Sequence, residues 1–397
     1  GINGRYSSLV SDVTREVFGR LTPRHIEIFN ARTGLDPTHE EPWKKVFTGG
    51  SDDHGGTHPA RAFTTTPSCR EPREFLEYIR GGECGAGGES GTPLTLAHST
   101  YSTAFQYAKA RLSLKPGDPG TGLLEKIFSR FMEGQDPTEF SLADKLGFLV
   151  QGVATGKIFE MAKAGSSSLW KDLASFFGKP EMKAALARET AGVAEPERRA
   201  FLMANLIANQ LGYRFVTQFI QQISSGKYFE SIQTIIPAAP LVGLLSPYIH
   251  AFRLPRREWL RDCTRTLLGT TPDLLKNRKR AWFTDTLEDV NGVATTIRKM
   301  TSAGVAAGHD ITVITCRSEV ADHGIPLKNF QPIGEFELPE YELQRLSFPP
   351  VLQIFDYLER GGFSEIIIST PGPTGLSALA AAKTLGIRVV GIYHTDF

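Results

Sequence analysis

Apolar and polar positions alternate most regularly after Arg280. Residues 281–285 predict a short strand and 286–292 a loop. Val293, Ile297, Met300 and Ala303 then fall on one face of a helix that ends at Gly308. Residues 311–315 (Ile-Thr-Val-Ile-Thr) predict a second strand, followed by a long loop. Pro349-Pro350 opens a helix with apolar positions Val351, Leu352, Phe355 and Leu358. Gly361-Gly362 ends it, since glycine accepts the left-handed conformation needed there. A strand at 366–368 runs into Thr370-Pro371-Gly372-Pro373-Thr374-Gly375, an Ala-rich helix at 376–385 stops at Gly386, and 389–393 forms the last strand. Strands separated by helices of this length imply right-handed crossovers and a parallel sheet. Their near-continuous apolar runs agree, because a parallel sheet is covered on both faces.

The remainder has two other textures. Residues 93–278 read as helical, with Phe201, Leu202, Asn205, Leu206 and Asn209, then Phe215, Phe219 and Ile223, at helical spacing. Breaks fall at 115–120 and 165–168. Residues 1–92 mix short β-like runs, such as 24–29, with glycine-rich loops that end in the breaker cluster 81–88. The expectation is an α/β multidomain chain with domains at 1–92, 93–278 and 279–397. The last is a parallel, doubly wound, Rossmann-like sheet, and the middle one is all-α.

Residues 231–252 carry no Asp, Glu, Lys or Arg, and roughly 20 apolar residues span a bilayer. Pro237, Pro240 and Pro247 interrupt the run and prevent one continuous helix. A buried, kinked helical segment is the reading. Peripheral membrane contact is the alternative, helped by Arg253, Arg256, Arg257 and Arg261, which could sit against anionic headgroups. A solvated helix face is the blander account of those arginines.

Composition narrows the classes. Of 397 residues, 41% are apolar and 22% charged, which suits a globular chain of two or three domains. A formal net charge of +1 gives no electrostatic case for nucleic acid. Cys69, Cys84, Cys263 and Cys316 are scattered without CxxC spacing, which argues against a disulfide framework and for a reducing, cytoplasmic setting. The start, Gly1-Ile2-Asn3-Gly4, is neither an initiator Met nor a signal peptide.

In a doubly wound sheet, ligands bind outside the carboxyl ends of the strands. Three such ends are visible, at 285–293, 369–375 and 394–397. Asn291-Gly292-Val293 places flexible backbone at a helix N-terminus, where unpaired N–H groups favour a phosphate or carboxylate. Taken alone, Asn-Gly is more often a plain turn than a ligand cradle, and His394 is equally a structural or a working residue. Neither G-x-G-x-x-G nor the P-loop pattern G-x-x-x-x-G-K-[ST] occurs.

Together, these motifs carry a resemblance. Phe283-Thr284-Asp285-Thr286 with Val290-Asn291-Gly292-Val293, then Ser369 to Leu376, then Val389 to Phe397, resemble the acceptor-side, N-terminal half of GT-B glycosyltransferases of the family 4, or group 1, type. The resemblance spans about residues 280–397. It implies a retaining transfer of sugar from a nucleotide-sugar donor to a lipid or glycan acceptor. It further implies that Asp285, Asn291, Gly292, Val293, Gly372, Thr395 and Asp396 border donor or acceptor, and that His394 lies beside the transferring sugar as the catalytic residue. One departure stands out: Glu288-Asp289 replace the Pro-Gln or Pro-Gly common before the Asn-Gly. Two carboxylates would repel a diphosphate if they faced it. The family's second domain, with a basic pair for the diphosphate and two glutamates, has no counterpart here, so the expectation is a fragment that is inactive alone.

At the other end, Asp52 and His54 follow a strand-like run in Gly49-Gly50-Ser51-Asp52-Asp53-His54. With two-residue spacing both side chains can point to one side. A carboxylate beside an imidazole suits Zn, Mn or Fe, although a bare D-x-H is more often a polar turn after a strand. This motif, with 60–64, 74–76 and 79–83, is similar to the end of PHP-type metal-dependent phosphoesterase domains, distorted (β/α) barrels. The resemblance implies a barrel remnant over 1–92 with Asp52 and His54 as metal ligands. His58 reads as a loop residue and His98 as a helix residue. Two alternative functions remain: a metal-dependent phosphoesterase with a regulatory nucleotide- or glycan-binding domain, or a non-enzymatic docking role for the amino-terminal parts.

Overall fold

The computed structural model describes residues 25–30, 46–51, 53–89, 91–111, 119–139, 175, 177–225, 239–253, 279–338 and 341–394. The chain divides into two compact units. One comprises Gly1–Asp36, Lys45–Ile207 and Val242–Pro247, and the other Pro37–Lys44, Ala208–Leu241 and Tyr248–Phe397.

In the first unit, β1 (His25–Asn30) pairs parallel with β2 (Val46–Gly50), and β3 (Ala62–Thr65) pairs antiparallel with β4 (Gly85–Gly88). These two pairs do not make a barrel among the described residues. Helix α1 (Pro72–Gly81) joins β3 to β4, starting on a proline that needs no N–H partner and ending at Gly82, whose φ of 87° is left-handed. Three more helices follow, α2 (Pro93–Arg111), α3 (Pro119–Met132) and α4 (Pro180–Thr190), and α5 (Pro196–Ser224) belongs to this unit up to Ile207 and to the second unit from Ala208. Helix α6 (Ala239–Arg253), of which only Val242–Pro247 belongs to the first unit, takes in the second half of the uncharged run, with Pro247 inside it and, in the second unit, Tyr248, Ala251 and Phe252 buried. Between residues 93 and 278 every described element is a helix. Among the described residues no helix is long and apolar enough to cross a membrane.

The second unit holds five parallel strands: β5 (Arg280–Phe283), β6 (Ile311–Cys316), β7 (Leu327–Phe330), β10 (Glu365–Ile368) and β11 (Arg388–Gly391). Their spatial order is β11-β10-β5-β6-β7. The connecting helices are α7 (Gly292–Ala306), α8 (Val351–Gly361) and α9 (Pro373–Leu385). Thus the strands, helices and parallel pairing expected from Arg280 onward are present. Trp282, Leu287, Ile297, Ile311 and Val313 form one buried cluster on the α7 side of the sheet. The Trp282 indole N–H, buried with them, donates to Ser369 Oγ at 2.6 Å, which ties the centre of β5 to the end of β10.

The stretch read as a long loop after β6 contains three strands. β7 adds an edge to the sheet, and β8 (Gly334–Leu338) pairs antiparallel with β9 (Tyr341–Phe348) as a separate hairpin. Tyr213 of α5 donates its hydroxyl to the Glu335 carbonyl at 2.8 Å and packs edge-on against Phe348.

Candidate functional site

Strand order makes the site. From β5 the chain steps outward through β6 to β7, then returns to the other side of β5 for β10 and β11. The crevice at the carboxyl ends of β5 and β10 is therefore the topological switch point, where open α/β sheets bind ligands.

Asp285 lies there, two residues past β5. Its carboxylate accepts from Thr370 Oγ1 at 2.8 Å, from the Thr374 N–H at 2.9 Å and from the Gly375 N–H at 3.4 Å, while its own N–H donates to Thr370 Oγ1 at 2.9 Å. Two of those donors belong to the first turn of α9, so Asp285 caps that helix from another strand and compensates its dipole. Gly372 permits this approach: a Cβ there would come within 2.5 Å of Asp285 Oδ2. The structure thus brings Asp285 and Gly372 together, in contacts that hold the two loops to each other.

The next loop leads to Asn291, whose extended backbone and Oδ1, accepting from the Ala294 N–H at 2.8 Å, cap α7. Gly292 has open space where a Cβ would stand, so a ligand can reach the backbone of this first turn. Val290, beside it, is fully exposed. The two carboxylates that depart from the family pattern have basic partners. Glu288 Oε1 lies 2.6 Å from His323 Nε2, and Asp289 Oδ1 lies 3.1 Å from Arg317 Nη2. Arg317 also donates to the Asp285 carbonyl, while its backbone N–H and C=O are held by the Asn329 side-chain amide at 3.0 and 2.8 Å. Sequence reasoning missed Arg317, Thr370 and Thr374. Arg317 could have been found as the first charged residue beyond the apolar run of β6. Cys316, the last residue of that strand, is no nucleophile: burial first, then Asp285 and Glu335 against Arg317, pushes its thiol up to about 12.

His394 follows β11 and is half-buried. Its Nε2 is sequestered from water and has no hydrogen-bond partner among the described residues. Thr395 and Asp396 lie outside the described residues, and so does Asp52. His54 is exposed and belongs to no metal-binding grouping among the described residues.

The Glycosyltransferase Family 4 model matches residues 290–397. No curated protein matches the chain, and no solved structure does. The family match and the five-stranded parallel sheet together support a GT-B-like glycosyltransferase domain in this part of the chain.

Proposed function

We propose that residues 279–397 form the acceptor-side domain of a retaining glycosyltransferase, which moves a sugar from a nucleotide-sugar donor to a hydroxyl of a lipid or glycan acceptor. The observation that carries this reading is the family match over 290–397, which holds four of the five strands of the parallel sheet whose switch-point crevice lies at β5 and β10. In the transfer, the bond from the anomeric carbon to the nucleotide breaks, and the diphosphate leaves with the electron pair. The acceptor oxygen bonds to the same carbon on the same face and passes its proton to the departing diphosphate. The first turn of α7, at Asn291, Gly292 and Val293, borders the donor phosphate and the acceptor. Its open backbone at Gly292 supports that role. His394 stands beside the sugar, where its unengaged Nε2 can bond a hydroxyl or steady developing charge. Thr395 and Asp396 continue the same border. Asp285 and Gly372 serve by holding the crevice in shape.

By the resemblance, the basic pair and the two glutamates that grip the donor belong to a second Rossmann-like domain, so transfer is expected of a protein that includes one. The amino-terminal part we read as PHP-type, with Asp52 and His54 holding Zn, Mn or Fe; its support is the sequence motif. A cytoplasmic enzyme touching a membrane peripherally fits the scattered cysteines and the Arg253–Arg261 cluster.

The test is the protein encoded by the whole reading frame, incubated with a panel of labelled nucleotide sugars and with lipid and oligosaccharide acceptors. Release of nucleotide with a product of unchanged anomeric configuration is expected, and His394→Ala should lower kcat by about 100-fold or more. An inverted product, or no nucleotide sugar bound or consumed, would overturn the reading. Full turnover in the His394 variant would remove that residue's role.

A further inference from the structure

Three side chains distant in sequence meet in the first unit. His58 lies on the loop after β2, His98 in the middle of α2 and Glu197 in the first turn of α5. One potential ligand atom from each lies within 4.8 Å of the other two. The imidazole centroids are 5.3 Å apart. His98 and Glu197 are buried, and His58 is half-buried.

The hydrogen bonding around them is what a metal ligand set needs. His98 Nε2 lies 2.7 Å from the Met132 carbonyl, which can only accept. That contact puts the proton on Nε2 and leaves Nδ1 with a lone pair, and Nδ1 is buried without a hydrogen-bond partner. Metal-binding histidines are oriented in this way, by giving their other N–H to a carbonyl or carboxylate. His58 Nε2 is likewise buried without a partner. Glu197 Oε1 takes the Arg61 guanidinium at 2.9 Å, which leaves Oε2 outside that ion pair. None of the three side chains hydrogen-bonds another.

Their backbones are held too. Asp53 Oδ2 accepts from the His58 N–H at 2.8 Å and Oδ1 from the Gly55 N–H at 3.1 Å, wrapping the loop around one carboxylate. Ser102 Oγ donates to the Gly55 carbonyl at 2.6 Å, fixing that loop on α2 one turn beyond His98. Burial, the leading influence on each, keeps both imidazoles below their ordinary titration range against the opposing pull of Glu197 and Asp53. Neutral imidazole is the ligating form.

We propose that His58, His98 and Glu197 bind one divalent first-row metal ion, Zn2+ foremost, as a His2Glu set with a position left for water or a substrate oxygen. Two imidazoles and one carboxylate are an established ligand set for open, catalytic Zn2+ sites. Tetrahedral Zn2+ at ordinary bond lengths places ligand atoms about 3.3 Å apart, so the three close on the ion by no more than about 1.5 Å. The site involves neither Asp52 nor His54, and it stands whether or not the glycosyltransferase reading does.

The experiment uses the whole chain, stripped with EDTA and titrated with Zn2+ and, separately, Co2+. One tightly held Zn2+ that depends on His58, His98 and Glu197 is expected per chain, with visible bands of four- or five-coordinate Co2+. His58→Ala, His98→Gln and Glu197→Gln should each weaken binding by at least about 100-fold. Circular dichroism separates loss of a ligand from loss of fold. His58→Ala, on a loop and half-buried, is the variant expected to stay folded in any case. No binding at low-micromolar Zn2+, or undiminished binding in a folded His58→Ala, would each overturn the proposal.

Discussion

Asp285 accepts hydrogen bonds from Thr370, Thr374 and Gly375, and removing its carboxylate leaves the Thr370 hydroxyl and two buried N–H groups at a helix N-terminus without their acceptor. Charge-assisted bonds of this kind contribute about 1.5–3 kcal/mol each before compensation, and a lost cap typically costs about 1 kcal/mol. Asp285→Ala should therefore lower stability by about 3 kcal/mol. Gly372→Ala is compatible with its backbone, whose φ is −72°, so any cost is steric. The new methyl would lie against Asp285 Oδ2, and overpacking of this sort costs about 1–3 kcal/mol. In a double-mutant cycle followed by urea unfolding and tryptophan fluorescence, Gly372→Ala should be nearly harmless once Asp285 is alanine. The expected coupling exceeds about 0.5 kcal/mol. Additive losses would show that the two residues do not share one contact.

Helix α5 and the β8–β9 hairpin meet through one residue. The Tyr213 ring occupies the space beside Gly334, where a Cβ would fall 2.2 Å from it, and the hydroxyl bonds the Glu335 carbonyl. Tyr213→Phe should cost about 1 kcal/mol. Gly334→Ala should displace the ring. Hydrogen exchange ought to speed up in both variants at the hairpin amides and stay unchanged in β5 and β6. A uniform rise across the sheet would refute a local role. This hairpin also marks where sequence reading stopped. Strands β5 and β6 were legible because burial on both faces makes them apolar runs, β10 and β11 because their short runs of branched apolar residues stand between glycine-bounded helices, and α7–α9 because their glycine and proline boundaries are local. β7 and the hairpin alternate charged with apolar residues, as in Leu-Lys-Asn-Phe and Gly-Glu-Phe-Glu-Leu, and their partners are decided in three dimensions. The candidate site divides in the same way. Asn291 was legible as a helix start within four residues of sequence. The Asp285 cap was not, since its partners are 85 to 90 positions away, nor were the partners of Glu288 and Asp289, 35 and 28 positions off. His58, His98 and Glu197 lie on a loop and two helices that sequence spacing cannot bring together.

At the scale of the molecule, the first unit should respond to pH through His58 and His98. Both titrate lower when folded than the ordinary value of about 6.5 expected when unfolded. His58 faces Glu197 and Asp53, which oppose the shift, and His98 and Arg61, which add to it. Between the folded and unfolded values the unfolded chain binds more protons, so stability rises with pH across that window. The metal-free protein should therefore have its full stability above about pH 6.5 and lose it progressively on acidification below that value. Calorimetry from neutral to mildly acid pH measures this, and His98→Gln should flatten the dependence. A melting temperature that climbs on acidification would contradict it. In the second unit, the internal capping of α9 has a consequence for direction. That helix meets an arriving ligand with its positive end already offset by Asp285, whereas α7 is capped by an uncharged amide. The field along the carboxyl edge is thus lopsided, and an elongated guest with one anionic end is expected to turn that end toward the first turn of α7 and its uncharged remainder toward α9.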